Sequence, residues 1–209
     1  MIHEVLPVGM LGCNCSIIGD EESREAIVID PGDEVSRIVD ILQRNQLKVE
    51  MIVITHAHID HIGGAEKLRA ITGAPVYMHE ADKMLSDQLP VQAAWLGMEA
   101  PKDPGIDTPA REGDIIRAGH VEAHVIHTPG HTPGSISLYL PEAKKLIAGD
   151  TLFEGSIGRT DLPGGDTAEI GKSIKGKLYT LPEDTIVYPG HGATTSIGVE
   201  KKHNPFVRG

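Results

Sequence analysis

Apolar residues fall along this chain in short continuous runs separated by turn residues, with few long helical stripes. Eight runs, at 15–19 (CSIIG), 25–30 (EAIVID), 50–55 (EMIVIT), 75–79 (PVYMH), 124–127 (HVIH), 135–140 (SISLYL), 145–150 (KLIAGD) and 185–190 (TIVYPG), predict β-strands. Residues 33–46 repeat with a helical period, placing Val35, Ile38, Val39 and Leu42 on one face with Asp33 able to cap the start. Residues 167–180 form the last helical pattern. Strands and helices mixed in this way predict an α/β class, with sheets covered by helices. The Pro- and Gly-rich stretch at 101–109 reads as a surface loop between two halves of one domain spanning 1–209.

Composition narrows the function classes. The 209 residues carry two Phe, four Tyr and one Trp, so the core is expected to be mainly aliphatic. Thirty acidic against nineteen basic residues give a formal charge of −11, which repels a phosphate backbone and argues against a nucleic-acid partner. The start, MIHEVLPVGM, has no basic segment leading into an apolar one, and no apolar run approaches the roughly 20 residues of a membrane span. A cytoplasmic protein without a membrane partner is the expectation. Cys13 and Cys15 are too few for a disulfide framework and read as reduced packing thiols.

The candidate chemistry sits just past the ends of the strand-like runs. ITHAHIDHIGG places His56, His58, Asp60 and His61 in one turn after the run at 50–55. His131 follows the run at 124–127 in HTPGHTPGS, Asp150 closes KLIAGD and His191 follows TIVYPG. Loops that leave one rim of a sheet can converge on a point. Imidazole and carboxylate suit divalent ions such as zinc, iron or manganese. Asp150 could bridge two ions about 3.5–4 Å apart. One ion would then take His56, His58, His131 and Asp150, and the other Asp60, His61, His191 and Asp150.

The ordered set of H-x-H-x-D-H, TPGH, GD and PGH, together with VIDPG around Asp30, GSIGRTDLPGGD and NPFVRG, resembles the metallo-β-lactamase-fold hydrolases. Over essentially the whole chain it resembles their short bacterial glyoxalase II (hydroxyacylglutathione hydrolase) branch. The resemblance implies a four-layer αββα sandwich with the metals at one edge of the two sheets. It also implies two divalent ions per chain, zinc above all, with iron or manganese accepted, and hydrolysis of an S-lactoylglutathione-like thioester by a metal-bound hydroxide. Asp60 would both bind metal and orient the hydroxide, and Asp30 would support the ligand turn from behind or close the DPG turn. The complete His58-x-Asp60-His61 set argues against antibiotic hydrolysis.

The pattern also departs from the full-length enzymes. The resemblance implies that a C-terminal helical extension that helps hold glutathione is missing after Gly209. Arg159 falls where the family has a basic residue near a glutathione carboxylate, while Asp161 and Ala193 replace tyrosines that contact glutathione. Arg159 has an alternative in a salt bridge to Asp161 or Asp166. His127 reads as a local hydrogen-bonding residue, and AAWLGMEAP around Trp95 and Met98 as core or lid packing, with lining the mouth of the site as the alternative. A mononuclear-iron persulfide dioxygenase shares the ligand motifs and GRTD, and a lactonase is a further alternative on the same fold.

Overall fold

The computed structural model describes residues 1–209 and forms two compact units. One comprises Met1–Ala110 and Arg117–Val121, the other Arg111–Ile116 and Glu122–Gly209. No helix is long and apolar enough to cross a membrane.

The first unit is built on a six-stranded sheet whose strands lie in sequence order: β1 (Ile2–Val8), β2 (Cys13–Gly19), β3 (Glu25–Ile29), β4 (Lys48–Ile54), β5 (Val76–Met78) and β6 (Thr108–Pro109). The first three pair antiparallel; from β3 onward the pairs are parallel. Parallel neighbours need crossovers. These run through α1 (Val35–Arg44) between β3 and β4, and through α2 (Ile59–Ile62) and α3 (Ala65–Thr72) between β4 and β5. Two further helices, α4 (Lys83–Asp87) and α5 (Leu89–Leu96), follow β5.

Ile38 and Leu42 of α1, Leu68 of α3 and Ile17, Val28, Ile52 and Ile54 of the sheet share one aliphatic core. The expected apolar face of α1 is buried at Val35, Ile38 and Leu42, with Ile41 joining it and Val39 only partly covered. Asp33 does not cap this helix. Glu34 adopts a left-handed conformation (φ 48°), and the Asp33 carboxylate accepts only the adjacent Glu34 N–H, at 2.6 Å.

The second six-stranded sheet has the order β14-β13-β10-β9-β8-β7. Its strands are β7 (Ile115–Ala118), β8 (Val121–His127), β9 (Ile136–Leu140), β10 (Lys145–Gly149), β13 (Ile186–Pro189) and β14 (Thr195–Ser196), and a two-stranded ribbon of β11 (Leu152–Phe153) and β12 (Ser156–Ile157) stands beside it. β10 and β13 pair in parallel, and between them in sequence lies α6 (Thr167–Gly176). Ile170 and Ile174 of α6, Ile197 of α7 (Ile197–His203) and Leu146, Ala148 and Val187 of the sheet form the core. The helix expected over 167–180 stops at Gly176 because Lys177 leaves helical geometry, and one 3₁₀ turn, Leu178–Thr180, completes the stretch.

All eight expected strands are present, as β2, β3, β4, β5, β8, β9, β10 and β13, and the mixed α/β class with two sheets is observed. In each sheet a parallel pair ends at one rim. Ile29 lies opposite Val53 where β3 and β4 end, and Gly149 opposite Pro189 where β10 and β13 end.

Helix α6 also braces a loop of the candidate site. Asp166 caps it by accepting the N–H groups of Ala168 (2.8 Å) and Glu169 (3.0 Å), while Asp166 N–H donates to Gly130 O and Ser173 Oγ to Pro129 O. A Cβ on Gly130 would come within 2.2 Å of the Ile170 backbone nitrogen, so glycine is required where the TPGH turn meets the helix. Asp166→Ala is expected to cost about 1 kcal/mol of unfolding free energy, read from urea melts. An unchanged midpoint would show that the cap contributes nothing.

Candidate metal centre

The ends of β3 and β4 assemble one ligand cluster within the first unit. β4 runs into Thr55 and His56, β3 into Asp30, and Asp30 N–H donates to Val53 O at 2.9 Å. The chain then turns through Ala57 and His58 into α2, which carries Asp60 and His61. The rings of His56 and His61 lie 4.0 Å apart between centroids, and those of His56 and His58 4.8 Å. His56 and His61 are buried, whereas His58 and Asp60 keep some exposure.

Hydrogen bonds determine which ring nitrogen each histidine presents. Asp30 accepts Thr55 N–H at Oδ1 (2.7 Å) and Thr55 O–H at Oδ2 (2.7 Å). His61 Nδ1 lies 2.9 Å from the same Oδ2, so that ring carries its proton on Nδ1 and donates it to the carboxylate. The Thr55 hydroxyl spends its own proton on Asp30 and can only accept from His56 Nδ1, 3.1 Å away. One carboxylate thus sets both tautomers, directly and through Thr55. Both rings are left with a lone pair on Nε2, the form a metal needs.

Three further side chains hold this turn and have no motif to announce them. Asp82 accepts Ala57 N–H (2.9 Å), and Gln92 accepts Ile59 N–H (2.9 Å) while donating to Ala57 O (3.1 Å). Behind His61 sits Cys13, its Sγ 3.5 Å from Nδ1. Burial pushes the Cys13 thiol up to about 11, and Cys15 well above its usual range; both thiols are free and buried. Backbones also meet here: a Cβ on Gly32 of the DPG turn would fall 1.6 Å from Asp60 O. That proximity explains the glycine in VIDPG.

The second unit gathers His131, Asp150 and His191. Asp150 and His191 follow the parallel strands β10 and β13, and Gly190 N–H donates to Gly149 O at 2.8 Å. His131 lies in the turn after β8. Its Nδ1 donates to Arg159 O (2.8 Å), which again puts the ring's lone pair on Nε2. A buried hydroxyl network ties that turn to the Asp150 strand end: Thr128 Oγ1 lies 3.0 Å from Thr151 Oγ1 and 3.1 Å from Ser137 Oγ. Thr128 stands in the HTPGHTPGS segment, Ser137 just beyond it and Thr151 beside Asp150, where a count of metal ligands passes over them.

The donor spacings suit shared ions. Two donors that each hold one ion at about 2.1 Å stand about 3.4–3.7 Å apart. His61 Nε2 to Asp60 Oδ2 is 3.6 Å, His131 Nε2 to Asp150 Oδ2 is 3.6 Å, and His191 Nε2 to Asp150 Oδ2 is 3.7 Å. Each separation is long for a hydrogen bond. The all-imidazole and carboxylate donor set fits zinc, iron or manganese.

Arg159 and His127 lie outside these clusters. The Arg159 guanidinium makes two 2.7 Å bonds to Asp161 and holds that carboxyl down at about 2, the salt-bridge alternative raised by its sequence context. His127 Nε2 donates to Pro133 O at 2.9 Å, as a local hydrogen-bonding residue should.

Asp30→Asn turns an acceptor into a donor opposite Thr55 and His61, and is expected to weaken metal binding about 10–100-fold. Competition with a chromophoric chelator, on protein whose far-UV dichroism is unchanged, measures this. Equal affinity in the variant would remove Asp30 from any role in ligand orientation.

Comparison with known proteins gives the family. The model for the metallo-beta-lactamase superfamily matches residues 8–191. An uncharacterized protein of Aquifex aeolicus is 48% identical over 99% of this chain and 97% of its own. The hydroxyacylglutathione hydrolase GloC of Haemophilus influenzae is 40% identical over 98% and 97%. Among solved structures, the BLEG-1 B3 metallo-beta-lactamase superposes with TM-score 0.92 at 36% identity over both whole chains. TTHA1623 in a di-iron-bound form gives 0.87 at 36% identity over 98% of this chain and 100% of that one. ETHE1 from Myxococcus xanthus gives 0.82 at 32% identity over 98% and 84%. The chain belongs to the metallo-beta-lactamase superfamily.

Proposed function

We propose that this protein is a two-metal thioester hydrolase of the glyoxalase II kind, acting on S-lactoylglutathione-like substrates. The observation that carries the reading is the hydrogen bonding of Nδ1 on His56, His61 and His131 to Thr55, Asp30 and Arg159 O, the outer-nitrogen support that metal-binding imidazoles use. The 40% identity to a hydroxyacylglutathione hydrolase over nearly all of both chains supports the choice of substrate. Similarity to a protein solved in a di-iron-bound form supports paired ions.

In this reading His56, His58, His131 and Asp150 would hold one ion, and Asp60, His61, His191 and Asp150 the other. When bound, two divalent ions acidify a water and polarise the thioester carbonyl. Asp60 is partly exposed and would accept a hydrogen bond from the attacking water as well as hold metal. The buried hydrogen bonds behind the histidines keep the donor atoms in place while charge develops. A thiolate leaves without a strong acid. Arg159, close to the His131 turn through its backbone, would receive a substrate carboxylate by exchanging Asp161 for it.

The decisive test is anaerobic hydrolysis of S-D-lactoylglutathione by the zinc-loaded protein. A kcat/KM of about 10⁴ M⁻¹s⁻¹ or more, reduced at least a hundredfold in Asp60→Ala, is expected. Negligible turnover by the parent protein would overturn the reading. Metal analysis tests the bridging role separately. Asp150→Ala is expected to lose most of both ions and His191→Ala mainly one, and equal retention in the two would refute the assignment.

The same ligand motifs and GRTD support a second reading, oxidation of a persulfide with dioxygen at a single iron. One iron per chain and sulfite formation from glutathione persulfide would select it.

A further inference from the structure

Glu200 of α7 is a buried charge in the second unit, 1% exposed, and belongs to none of the candidate donor clusters. Its Oε1 accepts Thr195 O–H at 2.7 Å, and its Oε2 accepts Gly155 N–H at 3.0 Å and Asn204 Nδ2–H at 2.8 Å. A buried carboxylate is costly unless donors surround it, and apolar packing often serves a core as well. What this carboxylate adds is a fixed position for the groups that donate to it.

Those groups belong to the segments that leave Asp150 and His191. After Asp150 the chain forms the β11–β12 ribbon, whose tip holds Gly155 at φ 62°. The ribbon returns through Gly158, where a Cβ would fall 1.8 Å from Asp150 O and 3.2 Å from His131 Cβ, to Arg159, whose carbonyl accepts His131 Nδ1–H. After His191 the chain is exposed at 192–194 and then pairs as β14, with Thr195 opposite Val187. The end of the His191 loop is therefore where a buried group can hold it, and Glu200 does so through Thr195. One carboxylate joins that loop to the ribbon that starts beside Asp150 and leads to the acceptor of His131.

Asn204 extends the tie. Its Nδ2 also donates to Ser156 O (3.0 Å), and its Oδ1 accepts Phe206 N–H and Val207 N–H. This turns the NPFVRG ending so that Val207 enters the core, where Tyr179 O–H donates to Val207 O at 2.7 Å. The ending carries no candidate metal donor, yet it anchors the ribbon.

We infer that Glu200, braced by Asn204, is a positioning residue for the metal donors of the second unit and above all for His191, as Asp30 is for the ligand turn of the first. This rests on the two-metal reading and adds to it a residue outside every ligand motif.

Zinc affinity, read by competition with a chromophoric chelator, and the visible spectrum of the cobalt-loaded protein are compared in Thr195→Val, Glu200→Ala and Ser196→Ala. Thr195→Val deletes one hydrogen bond at nearly constant volume, and Glu200→Ala deletes all three. Ser196→Ala removes the cap on Val199 N–H and so loosens the same helix without removing a bond to Glu200. The first two should weaken the ion that uses His191 about tenfold and change the cobalt spectrum, and Ser196→Ala should do neither. In a His191→Ala background, Thr195→Val should leave the affinity for the remaining ion unchanged. Equal affinity in the parent and Thr195→Val, or an equal loss in Ser196→Ala, would overturn the inference and leave the two-metal reading intact. Thr195→Val decides the matter if Glu200→Ala does not fold. A parent protein that binds two ions and shows this coupling, yet hydrolyses no thioester, would remove the hydrolase reading and keep the role of Glu200.

Discussion

The carboxylate of Asp30 is the point on which the ligand turn depends. It lies in a buried position beyond β3 and takes two protons from Thr55 and one from His61. A buried charge is costly unless it is hydrogen-bonded, and these three donors offset that cost. The same bonds convert a neutral, ambiguous imidazole into one with a defined acceptor nitrogen. Without them, His56 and His61 could place a proton on the nitrogen that the proposed centre would use for metal.

Parallel strand pairing is what makes such a support possible. β3 and β4 end side by side, so a residue 25 positions away in sequence becomes the neighbour of Thr55. The second unit uses the same device with β10 and β13, where Asp150 and His191 leave adjacent strand ends. There a backbone carbonyl, Arg159 O, does for His131 what Asp30 does for His61. Each unit couples a histidine's outer nitrogen to a protein acceptor, and each uses glycine where backbones come too close for a Cβ. At Gly158, for example, a Cβ would fall 1.8 Å from Asp150 O.

Much of this was legible in the amino-acid order, for identifiable reasons. Buried strands read as unbroken aliphatic runs, and those runs became β2 to β5, β8 to β10 and β13. β1 escaped because its side chains remain partly exposed along nearly its whole length and its apolar residues are interrupted by His3, Glu4 and Pro7. β7 is only four residues long. The metal-ligand candidates could be read because histidine and aspartate cluster in H-x-H-x-D-H, a local signal. Thr55, Asp82 and Gln92 could not. Their roles come from hydrogen bonds to residues 25 to 35 positions away, Thr55 to Asp30, Asp82 to Ala57 and Gln92 to Ala57 and Ile59. Asp33 shows the opposite error. It has the right identity and spacing for a cap, but one left-handed residue, Glu34, redirects the chain before the helix begins.

The residues around Asp60 show why ligand identity alone leaves the substrate open. The metal donors describe what can be activated, and they are compatible with several reactions on this fold. Selectivity must come from what adjoins them. Trp95 and Met98 read in the sequence as core or lid packing or as lining the mouth of the site; Trp95 is 65% exposed, which excludes the core, and Met98 stands beside Asp60. The β1–β2 turn and the end of α5 adjoin Asp60 and carry no candidate ligand, so they are places where selectivity can be built without disturbing the candidate donors.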